Sequence, residues 1–170
     1  LNLDKKSEND ILANFRYWRR REVKLFLKNN NLIETNQIQL SEIINLYEKI
    51  VYKNKENLNK EIKINLEDFF NAVKKGLGAF ICFRDKKTNS LESFSLILFD
   101  KNSAHLILSL TDQKYKKNGL AAFNIFKSIM FSKKNKKKIF DFNGANSPDR
   151  GDDKHSYGSK HKLFFEIYKK

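Results

Sequence analysis

The hydrophobic pattern of this chain changes at Gly78, and that change limits the fold more than any other feature. Before Gly78, apolar residues recur at helical spacing, as Ile11, Phe15 and Trp18 do within a helix predicted over residues 8–29. After it, short runs rich in Ile, Leu and Phe alternate with turn residues, which is typical of antiparallel strands. The chain is therefore predicted to have an α+β fold, with helices first and a mainly antiparallel sheet after them.

Two more helices and one short strand complete the first part. The helices are predicted over residues 37–59 and 66–75, and the strand over residues 32–36. The second of these helices ends at Gly76, as a glycine C-cap would end it. We treat residues 1–170 as a single domain, with a mainly helical part over residues 1–78 and a sheet part over residues 79–170.

The sheet part is predicted to contain an antiparallel meander, one central helix and two later strands. The strands of the meander cover residues 79–84, 94–99 and 105–110. The central helix covers residues 119–132, a strand follows over 138–142, a loop over 143–151, and a last strand over 163–168. Because this helix connects two strands as a crossover, the sheet is expected to be mixed.

The basic character of the chain is concentrated in two segments. Lys and Arg number 34 against 20 Asp and Glu, which gives a formal charge of +14 at pH 7. Residues 14–28 carry +5 and residues 111–138 carry +8, so the remainder is nearly balanced. A basic nucleic-acid-binding domain that uses Arg16–Arg21 and Lys133–Lys138 is therefore one open alternative, although no RNP-type strand or GxxG loop occurs.

Composition excludes several classes of protein. No apolar run approaches the roughly 18–20 residues of a membrane span, and no signal peptide is visible, so we predict a cytoplasmic protein without a transmembrane segment. The single Cys82 excludes a disulfide framework and a cysteine zinc cluster. The three His residues include no HExxH pair, and we therefore predict no metal.

The first candidate site is the strand–loop–helix unit that ends in the central helix. A helix N-terminus binds phosphate through its unpaired N–H groups, and a glycine there allows a close approach of the backbone. A plain glycine turn beside a solvated lysine cluster would produce the same sequence, and so loose a pattern arises by chance more often than it marks a phosphate site. The residues that would contact a phosphate-bearing ligand are Lys116, Lys117, Asn118, Gly119, Leu120 and Ala121.

The second candidate site begins in the strand after the central helix. Asp141 lies inside an apolar strand, where an unpaired carboxylate is costly, so it either points outward or is held by hydrogen bonds at a site. The loop after this strand is rich in polar residues, which is also compatible with an exposed turn. Lys154 and Tyr157 follow in a short polar segment.

Three segments together resemble the FemAB-like branch of the GNAT acyltransferase superfamily. Its domains carry a strand of "fDf-G" type, a "K-x-x-[FY]-G" element and a final strand. The central helix GLAAFNIFKSIMF and the opening helix FRYWRRREVKLFLKNNNL also look like those of the family. The matching segments here are Phe140-Asp141-Phe142-Asn143-Gly144, Lys154-His155-Ser156-Tyr157-Gly158 and Phe164-Phe165-Glu166-Ile167.

The resemblance implies a GNAT-like mixed sheet and the transfer of an acyl or aminoacyl group to an amine. It implies acyl-CoA as the donor, held at the segment from Lys116 to Ala121, where the family's signature begins with Gln or Arg instead of Lys. Asp141 is then the expected base, with His105 as the alternative, Tyr157 the expected acid, and Lys154 a cation for a phosphate or for developing negative charge.

Two further functional interpretations remain open. An aminoacyl-tRNA could replace acyl-CoA as the donor, or the chain could be a non-catalytic lobe of a larger acyltransferase. Because many such proteins pair two lobes and this chain starts at Leu1, we expect it to be the C-terminal lobe, with a second GNAT-like lobe upstream. The expected acceptor is an amine-bearing small molecule or a cell-envelope precursor.

Overall fold

Five strands form one sheet, and their order in the sheet is their order in the sequence. The computed structural model describes residues 1–28, 31–52, 60–115, 117–144 and 148–160. The first four strands pair antiparallel, and the fifth pairs parallel with the fourth. They are β1 Leu32–Thr35, β2 Gly78–Asp85, β3 Leu91–Phe99, β4 Ser103–Thr111 and β5 Ile139–Asp141.

Six α-helices accompany the sheet within the described residues. A short π-helix, Glu48–Tyr52, follows the third helix, and a 3₁₀ turn, Gln113–Tyr115, follows β4. The fifth helix connects β4 to β5 and is the crossover that parallel pairing requires. The helices are α1 Glu8–Ala13, α2 Tyr17–Lys28, α3 Leu40–Tyr47, α4 Lys60–Lys74, α5 Leu120–Lys134 and α6 Pro148–His155.

Each face of the sheet is covered by its own hydrophobic cluster. On one face α2 and α5 pack against the strands through Phe26, Phe83 and Phe123, whose ring centroids lie 4.7–5.8 Å apart. On the other face α3 and α4 pack over Phe80 and Phe94. The continuous apolar run of β2 follows from this arrangement, since a strand buried on both faces has no polar side to alternate.

The predicted fold class is confirmed, because the described residues form a mainly antiparallel mixed sheet with one helical crossover. The helix predicted over residues 8–29 is wrong in one respect: residues 14–16 divide it into α1 and α2. The N–H of Arg16 donates to the carbonyl of Ser156 at 2.8 Å, and the buried Phe15 packs edge-on against Tyr157. Contacts with a distant segment therefore override the local helical pattern.

The remaining differences concern element ends and one loop. Over residues 37–59, helix covers only α3 and the π-helix within the described part, and α4 begins before residue 66. The predicted loop over residues 143–151 is partly wrong, because α6 begins at Pro148, a residue that suits the first turn of a helix. The strand predicted over residues 163–168 lies outside the described residues.

Candidate functional site

The pairing between β4 and β5 stops well before β4 ends. Three residue pairs form the parallel ladder, the last of them His105 with Asp141, whereas β4 continues to Thr111. After Asp141 the chain leaves the sheet through Asn143 and Gly144, which both have positive φ angles, 51° and 60°. Among the described residues, the second half of β4 is therefore not paired on the β5 side, and we call this unpaired stretch beside the end of β5 the opening.

A β-bulge lies in β4 beside this opening. Leu108 faces Leu96 and Leu106 faces Ile97 across the β3–β4 ladder, so Ile107 is an extra residue on β4. A bulge interrupts the ladder and bends the strand, which is why bulges are frequent next to active sites. Here it lies two residues beyond the end of the β4–β5 pairing, where backbone groups of β4 face the opening.

His105 lies between two carboxylates at the closed end of the opening. Its Nε2 is 3.0 Å from Oδ2 of Asp100, and its Nδ1 is 3.4 Å from Oδ2 of Asp141. The His105 side chain is 31% exposed and that of Asp141 50%, so both can be reached from solvent. Asp141 points outward, and its Oδ1 also accepts from the N–H of Asn143 at 2.9 Å.

The surroundings of Asp100 strongly favour its charged form. The hydrogen bond with His105 and the backbone N–H groups of Ser103 and Asn102 lower the pKa of Asp100 to about 2. A carboxylate that stays ionised in this position favours the tautomer of His105 that carries its proton on Nε2. In that tautomer the unprotonated Nδ1 is directed toward Asp141.

Two buried carboxylates lie at the other end of β4. Glu92 is 2% exposed and accepts from Nζ of Lys114 at 2.7 Å. Asp112 is 4% exposed, and burial, the largest single influence, acts to raise its pKa. The hydrogen bonds from Lys49 and from the N–H of Lys114 together outweigh burial, so the pKa of Asp112 is lowered. Lys114, which lies between β4 and α5, is thus used in an internal ion pair.

The start of α5 is closely packed against α2. Gly119 has a φ of 82°, and a Cβ atom there would lie 2.2 Å from the carbonyl oxygen of Glu22. The Oδ1 atom of Asn118 accepts from the N–H of Leu120 at 3.2 Å and so occupies one of the open donors of the helix. Gly119 is therefore required by helix packing, and this requirement holds whether or not a phosphate binds.

The other predicted donor-binding residues have different surroundings. Lys117 and Ala121 are exposed, and Leu120 is completely buried in the cluster under α5. Lys116 lies outside the described residues. The described part of the predicted segment therefore offers a lysine side chain and an exposed helix turn beyond the end of β4, on the stretch that β5 does not pair.

Tyr157 and Lys154 contact residues 142–144, which follow β5. The Tyr157 ring is 3% exposed and packs on Phe142, with the Arg19 guanidinium 4.9 Å from its centroid, and burial raises its pKa. The ammonium of Lys154 donates to the carbonyl oxygens of Asn143 and Gly144. Asp141, Lys154 and Tyr157 are therefore brought together around one turn, but Tyr157 belongs to the hydrophobic core.

Sequence reasoning missed Asp100 as a partner of His105. In the sequence, Asp100 is a turn residue five positions before a histidine of a predicted strand. This spacing occurs in many turns, so it does not by itself indicate a contact. Among the described residues, no three His, Cys, Asp or Glu side chains come together in a group that could hold a metal ion. None of the described helices is long and apolar enough to cross a membrane.

The fold matches solved structures of acyltransferases at low sequence identity. The crystal structure of FemX aligns with 92% of this chain at a TM-score of 0.72 and 11% identity. Glucosamine-6-phosphate N-acetyltransferase from Arabidopsis thaliana aligns with 82% of it and an acetyltransferase from Trypanosoma brucei with 81%, at TM-scores of 0.59 and 0.60 and identities of 8% and 12%. Both alignments cover 99% of the other chain.

A further match is the structure of AAC(6')-Iy in complex with a CoA-S-monomethyl-acetylneamine bisubstrate analog, with a TM-score of 0.56, 10% identity, and coverage of 82% of this chain and 96% of that one. No family model matches the sequence, and no curated protein does. This chain spans 57% of the length of the FemX chain. These matches show the GNAT fold, and the fold predicted from the resemblance is thereby confirmed.

Proposed function

We propose that this chain is an N-acyltransferase that transfers an acyl group from acyl-CoA to an amine. The observation that carries the proposal is the opening between β4 and β5, with a bulge beside it and His105 at its closed end. An extended donor arm fits along the free edge of β4, where backbone groups are not paired by β5. Within the GNAT fold this arrangement suits acyl transfer better than a purely structural role.

The chemistry needs a neutral amine next to an activated carbonyl. Nδ1 of His105 and Oδ2 of Asp141 are two acceptors 3.4 Å apart, and an ammonium group of the acceptor supplies donors to both. With Asp100 holding Nε2–H, the amine transfers its proton to Nδ1 of His105 and becomes a nucleophile. The neutral amine attacks the thioester carbonyl, and the C–N bond forms as the carbonyl oxygen takes up negative charge. The C–S bond then breaks, the second proton of the attacking nitrogen passes to the departing sulfur, and the products are the amide and CoA with a free thiol. The proton held by His105 is released to solvent.

The backbone of β4 near Ile107 provides N–H donors for the developing oxyanion, since the bulge redirects groups that a regular ladder would pair. In this proposal Lys117 and the turn at Ala121, which are both exposed, contact the phosphates of the donor. In this proposal Lys154 and Tyr157 are positioning residues. They hold the turn from Phe142 to Gly144, which sets the position of Asp141.

Transfer is proposed to be direct, without an acyl group on cysteine. The single Cys82 is fully buried, and burial raises its pKa to about 12. A thiol that is neither accessible nor ionised near neutral pH is a poor nucleophile. The same property makes a thiol-reactive dye a clean assay, because it detects released CoA against little background from the folded protein.

The first test is thermal stabilisation by acetyl-CoA followed by a turnover assay with a panel of amines. Ligand at 100 times its Kd stabilises a fold by about 2.7 kcal/mol, which raises the Tm of a protein of this size by roughly 5–10 °C. Aminoacyl-tRNA is the second donor to assay, with uncharged tRNA as its control. If neither donor stabilises the protein or supports transfer, the non-catalytic lobe remains as the interpretation.

His105→Gln tests the base, and Asp141→Asn tests the second acceptor of the amine. Loss of general-base catalysis reduces kcat by roughly 10²–10⁴-fold. His105→Gln should lower kcat with little change in the free energy of unfolding measured in urea, whereas a purely structural role would lower that free energy. Asp141→Asn should raise the KM for the amine with little effect on the KM for the donor.

A further inference from the structure

Helix α5 buries a polar stripe beside its apolar side chains. Asn124, Ser128 and Ser132 follow one another at intervals of four residues, so they lie on one face of the helix, and all three are 0% exposed. The hydroxyls of Ser128 and Ser132 donate at 2.8 Å to the carbonyls of Asn124 and Ser128, one turn earlier in the same helix. Asn124 is the member of the stripe whose side chain bonds to the sheet.

The amide of Asn124 connects α5 to the end of β4 through β3. Its Nδ2 donates to Oγ of Ser93 on β3 at 2.6 Å. The hydroxyl of Ser93 donates to the carbonyl of Leu110 at 2.9 Å and lies 2.8 Å from Oγ1 of Thr111. Leu110 and Thr111 end β4, on the stretch that β5 does not pair among the described residues. One chain of hydrogen bonds therefore joins the helix to the unpaired end of β4.

These bonds close a ring between β4 and α5. Along the chain, β4 leads through the 3₁₀ turn Gln113–Tyr115 into α5. Through space, Asn124 returns from α5 to β4 by way of Ser93. The edge of β4 that we propose for the acyl-CoA arm and the turn at Ala121 that we propose for its phosphates both belong to this ring. The distance between them therefore depends on the bond that Asn124 makes.

Stability alone does not explain an asparagine at this position. No N–H or O–H group of the described residues reaches Oδ1 of Asn124, although this atom is buried. A buried acceptor without a partner is destabilising, whereas an apolar side chain of similar shape avoids that cost. Phe126 and Ile129, further along α5, are apolar and buried. What the amide supplies is the bond from Nδ2 to Ser93.

We propose that Asn124 is a positioning residue for acyl-CoA, because it fixes the end of β4 relative to the first turns of α5; the inference rests on the proposed acyl transfer. Asn124 and Ser93 are both 0% exposed, so neither touches the substrate. Their effect passes through the carbonyl of Leu110 and the side chain of Thr111. A purely structural bond would change the free energy of unfolding and leave the binding of acyl-CoA as it is.

Asn124→Leu tests the proposal, since it removes the bond to Ser93 and leaves Ser93 with its partners on β4. The KM for acyl-CoA should rise about 3–10-fold, the range that one hydrogen bond contributes. The kcat at saturating acyl-CoA and the KM for the amine should change less than about twofold. Ser132→Ala is the matched control, because it removes a buried hydroxyl of the same stripe that bonds within α5, and its KM for acyl-CoA should equal that of the wild type.

Ser93→Ala breaks the same connection from the side of the sheet, and it is the second variant if leucine does not fit at position 124. Combined with Asn124→Leu, it should raise the KM for acyl-CoA no further than either change alone, because both remove one connection. Hydrogen exchange gives a readout without turnover. In both single variants, the backbone N–H groups at the end of β4 should exchange faster than in Ser132→Ala, while urea unfolding shows that all three are folded.

Three results would overturn the proposal. If acetyl-CoA stabilises the wild type and Asn124→Leu equally, Asn124 does not position acyl-CoA, although the proposed acyl transfer stands. If the increases in KM for Asn124→Leu and Ser93→Ala add in the double variant, the two residues do not act through one connection. If acetyl-CoA neither binds to the wild type nor reacts, the proposed activity fails, and the role of Asn124 fails with it.

Discussion

At the scale of single residues, the candidate site depends on a histidine whose partners come from two different turns. Asp100 lies in the turn before β4, and Asp141 ends β5. The apolar spacing of the sequence does not predict that either carboxylate lies beside His105. Only the parallel pairing of β4 with β5 places Asp141 beside His105, and the turn that holds Asp100 brings it from the other side.

Asp100→Asn should change the acid stability of the protein in a defined pH window. The pKa of Asp100 is lowered in the folded state to about 2, mainly by its hydrogen bond with His105. Its contribution is therefore fully present above about pH 4, where the unfolded carboxyl is already ionised, and is lost between about pH 4 and pH 2. Urea unfolding of wild type and Asp100→Asn across this range should show a difference in free energy that shrinks as pH falls. A difference that stays constant with pH would contradict this assignment.

Lys114 and Lys117 are three residues apart between β4 and α5, and their predicted roles differ. Lys114→Met removes the partner of the buried Glu92, and because the lysine is itself half-exposed, we expect a loss of about 1–2 kcal/mol in the free energy of unfolding. Lys117→Met leaves an exposed site and should change stability by less than about 0.5 kcal/mol. In the turnover assay, Lys117→Met should instead raise the KM for acyl-CoA. Equal losses in the free energy of unfolding for Lys114→Met and Lys117→Met would contradict these different roles.

At the scale of elements, sequence patterns predicted most of the structure that local chemistry controls. The meander, the central helix and the strand after it were found from apolar spacing and turn residues. The break at residues 14–16 was missed, since Phe15 and Arg16 are fixed by contacts with Tyr157 and Ser156, more than 100 residues away in sequence. The early end of the β4–β5 ladder was missed for the same reason, because no local sequence pattern predicts where two strands distant in sequence separate.

Gly119 and Gly76 offer a matched pair that tests why the central helix begins with glycine. Their φ angles are 82° and 80°, but a Cβ at Gly119 would collide with the backbone of Glu22, whereas a Cβ at Gly76 meets nothing within 4 Å. Gly76→Ala should therefore cost only the conformational strain, about 1 kcal/mol, and Gly119→Ala at least about 3 kcal/mol. Urea unfolding measures both. If the two losses are equal and Gly119→Ala selectively weakens acyl-CoA binding, the glycine serves the ligand instead of the packing.

At the scale of the whole molecule, the two hydrophobic clusters and the net charge act in opposite directions. The sheet is covered on both faces, which stabilises the fold. A formal charge of +14 on 170 residues opposes it through self-repulsion. Most of the ion pairs between described residues have at least one partly exposed partner, so each contributes little to the balance.

Salt should therefore raise the Tm of this protein. Screening shortens the Debye length from about 30 Å at 0.01 M to about 10 Å at 0.1 M, which weakens repulsion between distant lysines more than the short pairs such as Lys114 with Glu92. Differential scanning calorimetry in NaCl at constant pH should show Tm rising over this range. The double variant Lys60→Glu with Lys75→Glu has a lower net charge, so its Tm should rise less with salt. A Tm that falls with salt would mean that ion pairs outweigh the repulsion, and that the local clustering of charge, instead of its total, determines how this molecule responds to ions.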